Sequence, residues 1–412
     1  MLDPFLGIAI FALAAFFYAI TVYHSFLIII GMRMTKGGRK PFDKGSLRNP
    51  VDLPRVSIVI PAKDEEVVIE GAIRCAERLQ YPKELVEILV VEDGSSDETP
   101  TIGKRMAAQI PNVVCISGGE STGKPAALNR AIARATGEVI VIFDSDTRYE
   151  PDLLLRGAKY FHDHPDIDIA QAFPQVINAD RNLITRLNYY ETRFWFQGLQ
   201  VAKERFGLFM HLGGTGMFIR RRVLDGLGPW DESCLTEDLE YSVRVARSGH
   251  RVGMLQGDIW IQPTYKARHL IGQRRRWWGG ALQVFVKMMR SPFSAGRTLR
   301  QRLDAFIYTI SPIVFLVGSI MFIVSVVSTL LAVSGLAALT AWFWGILLSN
   351  LLLIPLVVTE AFRIKDRKLI WLVPGLYWYW TLQWYALFSV AFGMIFTPRK
   401  VRWQRTPKVR AD

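Results

Sequence analysis

An apolar run from residue 5 to residue 31 opens the chain, and three more, 305 to 332, 338 to 360 and 369 to 396, lie towards its other end. A helix needs roughly 20 apolar residues to cross a bilayer. Only a helix or a closed barrel satisfies its backbone polar groups there. The runs therefore constrain the architecture to a water-exposed middle held between helical membrane segments. A cleaved signal peptide has a basic start and a small-residue cleavage site. The first run is longer and has neither, so it reads as a signal anchor. The basic stretch from Arg33 then belongs on the cytoplasmic side, with the N-terminus outside. Four crossings would leave the basic tail outside, whereas its charge argues for inside. The conflict is removed if one of the four runs lies in the interface or re-enters.

The net charge of +13, from 50 basic and 37 acidic residues, admits three partners: nucleic acid, an anionic membrane surface or anionic substrates. Much of the excess flanks the apolar runs, at 33–48, 363–368 and 399–410. The positive-inside rule accounts for such clusters, so the lipid bilayer is expected as a partner and nucleic acid is not. Residues 277 to 293 are too short and too polar to cross. They read as an amphipathic helix lying in the membrane surface, with an ordinary core helix as the alternative. Cys75, Cys115 and Cys234 are widely spaced and odd in number, which gives no disulfide or metal pattern.

Between residues 55 and 270, short β-branched runs alternate with helical patterns. Val56 to Ile60, Val86 to Val91, Val113 to Ile116 and Val139 to Phe143 are apolar on both faces, as buried parallel strands must be. Glu65 to Leu79 and Lys124 to Ala135 read as helices. The series predicts an α/β fold with an open sheet, in which ligands bind at the carboxyl ends of the strands. The polar residues fall there: Pro61 to Glu66, Glu92 to Asp97, and Asp144 to Asp146.

Asp93 sits at a strand end before a turn, where a free carboxylate can accept from a uracil imide or a ribose hydroxyl; Asp97 suits a helix cap. Asp144-Ser145-Asp146 offers two carboxylates to one cleft, a set that suits a hard divalent cation shared with a diphosphate. Gly123-Lys124-Pro125 lacks the full phosphate-loop pattern, but Lys124 can meet a nucleotide through its charge. Thr236-Glu237-Asp238 precedes a helix that Thr236 can cap, and Asp238 is the candidate general base for a sugar hydroxyl. In Gln273-Arg274-Arg275-Arg276-Trp277, arginine forks suit a leaving diphosphate and the indole suits the apolar face of a pyranose. Arg275 fits a snorkelling membrane rim instead. The last apolar run carries Trp371, Tyr377, Trp378, Tyr379, Trp380, Trp384 and Tyr385, a density that fits an interfacial belt or a wall contacting sugar.

The order Asp93, Asp144-x-Asp146, Thr236-Glu237-Asp238, Gln273-x-x-Arg276-Trp277 resembles the processive family 2 membrane glycosyltransferases, among them the cellulose, hyaluronan, chitin and poly-N-acetylglucosamine synthases. The resemblance covers roughly residues 54 to 280. It implies a GT-A fold and inverting transfer of a hexose or N-acetylhexosamine from a nucleotide sugar, expected to be UDP-linked. The acceptor would be a growing glycan. Transfer of one sugar to a lipid or lipid-linked acceptor is the alternative. By position, Glu65, Asp93, Lys124 and Asp144 would serve the nucleotide, and Asp146 with Asp144 would hold Mg²⁺ or Mn²⁺. Asp238, Glu237 and Arg276 would be catalytic. Trp277, Gln273, Gly214 and Thr215 would face the acceptor. Where cellulose synthases place an aromatic pair and a cysteine, this chain has His211-Leu212-Gly213-Gly214-Thr215-Gly216, so a different acceptor is expected. No cyclic-dinucleotide receptor domain is expected after the last run. Many such synthases work with accessory subunits or as oligomers, and the resemblance leaves room for both.

The expected organisation is an anchor at 1–32, a basic linker at 33–54, a GT-A domain at 55–276, an interfacial helix region at 277–303, membrane helices at 304–396 and a basic tail at 397–412. The expected location is the cell membrane, crossed several times, with the catalytic domain cytoplasmic.

Overall fold

The computed structural model describes residues 4–35, 53–330 and 372–396. Most of the expected linker, the run at 338–360, the basic cluster at 363–368 and the basic tail lie outside the described residues.

The four strands read from the sequence all form: β1 (Val56–Ala62), β2 (Val86–Glu92), β3 (Val113–Ser117) and β4 (Val139–Ile142). They run parallel, with Val56 opposite both Val86 and Val139, and Ile88 opposite Val113. Four more strands complete one sheet: β5 (Arg148–Tyr149), β6 (Ile169–Val176), β7 (Met217–Arg220) and β8 (Val252–Ile261). The order is β3-β2-β1-β4-β7-β6-β8-β5. β7 is antiparallel to both β4 and β6, and β5 is antiparallel to β8, so the sheet is mixed.

Alternation along the strands covers both faces. Ile58 and Ile60 point to α2 (Ile69–Glu77) and α5 (Leu153–Asp163), meeting Ile69, Ile73, Leu154 and Phe161. Val59, Leu89 and Ile142 point the other way, to Ala127, Leu128 and Ala131 of α4 (Lys124–Ile132) and to Tyr241 of α9 (Glu237–Arg247). On that first face α3 (Thr99–Gln109) adds Met106. α2 begins four residues later than the pattern predicts, because residues 65 to 68 form the turn that carries the end of β1 over the sheet. The chain order turns back between β1 and β4. That reversal opens a crevice at their carboxyl ends, the place where such sheets bind ligands.

Three long helices flank this domain: α1 (Pro4–Met34), α11 (Leu299–Leu330) and α12 (Val373–Phe396). Among the described residues, two segments are long and apolar enough to cross a membrane, Ala15–Met34 and Leu299–Ile320. α1 is joined to the domain by backbone contact. A Cβ on Gly31 would overlap the carbonyl of Gly198, in the π-helical turn Phe194–Gln200. That turn connects α6 (Leu183–Arg193) to α7 (Val201–Phe206). Small residues permit such close approach between helices.

The expected break between catalytic domain and surface helix is absent. α10 (Ala267–Met288) runs unbroken through both. Its Gly279, Gly280, Leu282, Val284 and Met288 are buried, while Val286 is exposed. One helix thus carries the Gln273 to Trp277 motif and packs on α9, α11 and α12. α8 (Arg221–Leu227) follows β7 at the far end of the sheet.

Candidate active site

Two loops at the carboxyl ends of β1 and β2 lock together. Asp64, at φ 52°, accepts from the Ser96 amide at 2.7 Å, and its own amide donates to Ser95 Oγ at 3.0 Å. The Glu65 amide donates to Thr99 Oγ1 at 2.7 Å, which sets the buried Glu65 under the crevice. Asp97 accepts from the amides of Thr99 and Glu66. The cap position of α3 falls to Glu98, which makes no side-chain cap bond, so the expected cap at Asp97 is not formed.

Asp93 is not the free carboxylate the sequence suggests. Five donors engage it: Ser121 Oγ, Thr122 N, Thr122 Oγ1, Gly123 N and Arg130 Nη2, the last at 2.6 Å. Together they hold its carboxyl below the usual range despite burial. Asp93 folds the 118–123 loop over the end of β2. Gly94, at φ 66°, is needed there, because a Cβ would sit 2.7 Å from the Gly119 carbonyl.

That loop delivers Lys124 to the centre of the site. Its Nζ lies 2.7 Å from Asp144 Oδ1, 2.9 Å from the Gly214 carbonyl and 3.2 Å from Glu237 Oε1. Burial opposes the charge, but Asp144 and Glu237 outweigh it and hold the ammonium well above its ordinary pKa. Glu237 and Asp238 begin α9. Burial pushes both carboxyls up, and Lys124 is the strongest influence against that, with Arg276 adding to it. Asp238 Oδ1 accepts from the Leu239 amide at 2.8 Å; among the described residues no donor meets its Oδ2. Gly214, at φ 75°, faces that oxygen, and a Cβ there would stand 2.9 Å from it. Thr215 is an organiser. Its hydroxyl accepts from the Asp144 amide at 3.0 Å and meets Thr147 Oγ1 at the same distance.

The predicted cap at Thr236 is not made. Thr236 stands at the cap position of α9, yet its side chain makes no cap bond and its buried Oγ1 has no partner. Instead it packs against Gly280 of α10, where a Cβ would fall 2.7 Å from Thr236 Cβ and closer still to Oγ1. Gly280 therefore lets α10 lie directly on Thr236, at the start of the turn that carries the two carboxylates, with Arg276 of the same helix within electrostatic reach of both. Gly280→Val is expected to displace the helix and lower kcat/KM by about 100-fold, the scale of a 1 Å misplacement. Gly226→Ala, with nothing near its Cβ position, serves as the control that keeps wild-type rates.

The motif on α10 divides its labour. Arg275 is exposed. Arg274 is buried and turned away from the carboxylates, bonded to Glu191 and, at 2.7 Å, to Tyr379 Oη. Trp277 is 41% exposed, with the Arg274 guanidinium 4.2 Å from its ring centre. Gln273 Oε1 is buried without a partner. The sequence offered no sign of Glu191, nor of Tyr379 as more than one of seven clustered aromatics. The two bond each other at 2.6 Å across α6 and α12.

Among the described residues no group of three or more His, Cys, Asp or Glu is placed to hold a metal. The donor set at β4 is two carboxylates, half-exposed Asp144 and buried Asp146. That set fits a hard cation that takes its other ligands from substrate phosphate and water. A cavity of 960 Å³, lined by Tyr160, Glu204, His250 and Arg297 among others, lies elsewhere and contains none of the residues singled out in the sequence.

Comparisons with known proteins agree with this picture. A family model described as "Glycosyltransferase like family 2" matches residues 54–280. A Bacillus subtilis (strain 168) protein described as "Probable glycosyltransferase YdaM" is 28% identical over an alignment covering 95% of each chain. The β-monoglucosyldiacylglycerol synthase of Synechocystis sp. (strain PCC 6803) is 31% identical over 261 residues, 62% of this chain and 54% of that one. A solved mannosyltransferase from Pyrobaculum calidifontis, in complex with GDP-Man and Mn²⁺, superposes with a TM-score of 0.60 at 20% identity, covering 94% of this chain and 100% of that one.

Proposed function

The chain belongs to glycosyltransferase family 2 and has its GT-A-like fold, and from that premise we propose that it transfers one sugar from a nucleotide-sugar donor to a lipid or lipid-linked acceptor at a membrane surface. The observation that carries the reading is the free Oδ2 of Asp238, held beside the Lys124–Asp144 pair and under the helix that packs on α11.

Asp238 takes the proton of the acceptor hydroxyl at Oδ2. A carboxyl held above its ordinary pKa is the stronger base for that step. The acceptor oxygen bonds to the anomeric carbon as the bond from that carbon to the donor phosphate oxygen breaks, inverting the centre. The electron pair leaves with the nucleoside diphosphate, and Arg276 stabilises its charge. Asp144 and Asp146 would hold Mg²⁺ or Mn²⁺, which when bound neutralises the diphosphate. Lys124 pairs with Asp144 and Glu237 and holds both in place. Glu65 and the loop folded by Asp93 frame the nucleoside. Trp277 and Gln273 line the acceptor side, and Gly214 leaves room for the attacking hydroxyl. The catalytic domain lies on the cytoplasmic face of the cell membrane, anchored by α1 and α11.

A second reading, extension of a polysaccharide, is favoured by the Gln273-x-x-Arg276-Trp277 motif. Incubating purified full-length protein with labelled UDP-glucose, UDP-N-acetylglucosamine or GDP-mannose in lipid vesicles, with and without Mn²⁺, separates the two. A lipid carrying a single sugar is expected, formed only with the metal. A ladder of longer products would replace the first reading by the second.

A further inference from the structure

Beside Asp238 stands an aromatic wall that none of the motifs predicts. The rings of His211 and Tyr308 stack with centroids 5.5 Å apart at 27°. Tyr308 also meets Phe209 at 5.5 Å and Trp195 at 5.8 Å, and Trp195 meets His211 edge-on at 6.1 Å. His211 begins the turn that ends at Gly214 against the base. Tyr308, on membrane helix α11, is within electrostatic reach of Asp238. Trp195 belongs to the turn that packs on α1. The wall thus runs from the catalytic carboxylate towards the elements that face lipid.

Its charge is unusual for a site that meets a membrane. The nearest cation, Lys203, lies 5.0 Å from the Tyr308 ring centre, but it is paired with Asp304 at 3.0 Å, both only 1% exposed. Burial, with Lys203 adding to it, pushes the His211 imidazole down to about 3, so it is neutral at physiological pH. Its Nδ1 is buried without a partner. The other charges at this end are the carboxylates Glu237 and Asp238, with Lys124 paired to Glu237 at 3.2 Å and Arg276 within electrostatic reach of both acids. The wall offers rings and polar tips without net positive charge, next to two acids. Rings of this kind suit an amphiphile whose head is polar and whose tail lies in the bilayer. A phosphate brought here would meet the two acids, and the cation within reach of them, Arg276, is engaged by the donor diphosphate in the mechanism above.

We propose that Trp195, His211 and Tyr308 form the acceptor subsite and select the uncharged hydroxyl headgroup of a membrane lipid over a lipid phosphate. The proposal rests on single-sugar transfer to lipid as read above.

The test uses full-length protein in neutral phospholipid vesicles, with the nucleotide sugar that gives turnover and two acceptors, a diacylglycerol and a polyprenyl phosphate. Transfer to the diacylglycerol is expected, with the phosphate used at least tenfold less well. Tyr308→Ala and His211→Ala are each expected to raise the diacylglycerol KM by about tenfold while donor affinity, read by nucleotide-sugar titration, stays at the wild-type value. Tyr308→Phe, which keeps the ring, is expected to restore most of that KM. Preference of the wild-type protein for the phosphate, or an unchanged acceptor KM in both alanine variants, overturns the subsite while leaving lipid glycosylation standing. Polymer formation with no lipid product removes both readings together.

Discussion

Asp238→Asn is expected to lower the transfer rate by about 1,000-fold or more, within the range a positioned general base contributes, while donor affinity stays close to wild type. The substitution is nearly isosteric. The amide oxygen can still accept from the Leu239 amide, so the start of α9 is kept. Lys124 retains Asp144, the Gly214 carbonyl and Glu237 as partners, so the charge network at the crevice survives. What is lost is the one oxygen that no donor occupies, Oδ2, which the amide replaces or renders non-basic. Glu237 is turned to Lys124 instead, with Oε1 at 3.2 Å from the ammonium. The measurement is kcat for sugar transfer beside a donor-binding titration. An asparagine variant with a tenth of wild-type turnover would move the base elsewhere. A variant that lost donor affinity as well would place Asp238 in nucleotide binding.

That contrast depends on distances no sequence reveals, although the residues themselves were legible. The first four strands could be read because each is a short, largely β-branched apolar run. β4 is buried throughout, whereas β3, at the sheet edge, leaves Val114 exposed and so is not covered on both faces as expected. The later strands hide for a physical reason. β6 contains Gln171, Pro174 and Gln175, and β8 contains Gln256, Gly257 and Asp258, so neither keeps an apolar run or a clean alternation. Their polar groups are used inside the fold: Gln171 bonds the Gly213 amide and the Thr215 carbonyl, and thereby shapes the turn from Gly213 to Gly216. Asp93 misled for the opposite reason. A carboxylate at a strand end reads as available, but the 118–123 loop comes back to occupy it. α10 misled through composition, because a motif rich in arginine followed by an apolar stretch reads as two elements. Gly280 shows the consequence of its being one: a single continuous helix brings its glycine against Thr236 and its Arg276 within electrostatic reach of the carboxylates.

The Lys203–Asp304 pair is the case in which sequence reasoning has least to offer, and it carries the second large prediction. Neither residue belongs to any of the motifs in the sequence. In the fold they meet between α1, α7 and α11. Asp304 also accepts from Tyr23 Oη and from the Phe209 amide, each at 2.9 Å. Charges enclosed this fully persist only when paired. Lys203→Met is therefore expected to cost about 3–5 kcal/mol of stability, the scale for leaving one buried charge without its partner. Its measure is the loss of folded protein on denaturant titration in detergent. If the cost comes from the orphaned carboxylate, removing that charge should recover most of it. Lys203→Met with Asp304→Asn does so, since the asparagine oxygen can still accept from Tyr23 and Phe209. Asp304→Leu in the same background should recover less, because those two donors then lose their acceptor. Equal stability of the single and double variants would mean that the pair contributes packing and not charge compensation. The Phe209 amide would then be the main link between α11 and the turn that leads, through His211, to Gly214 beside Asp238.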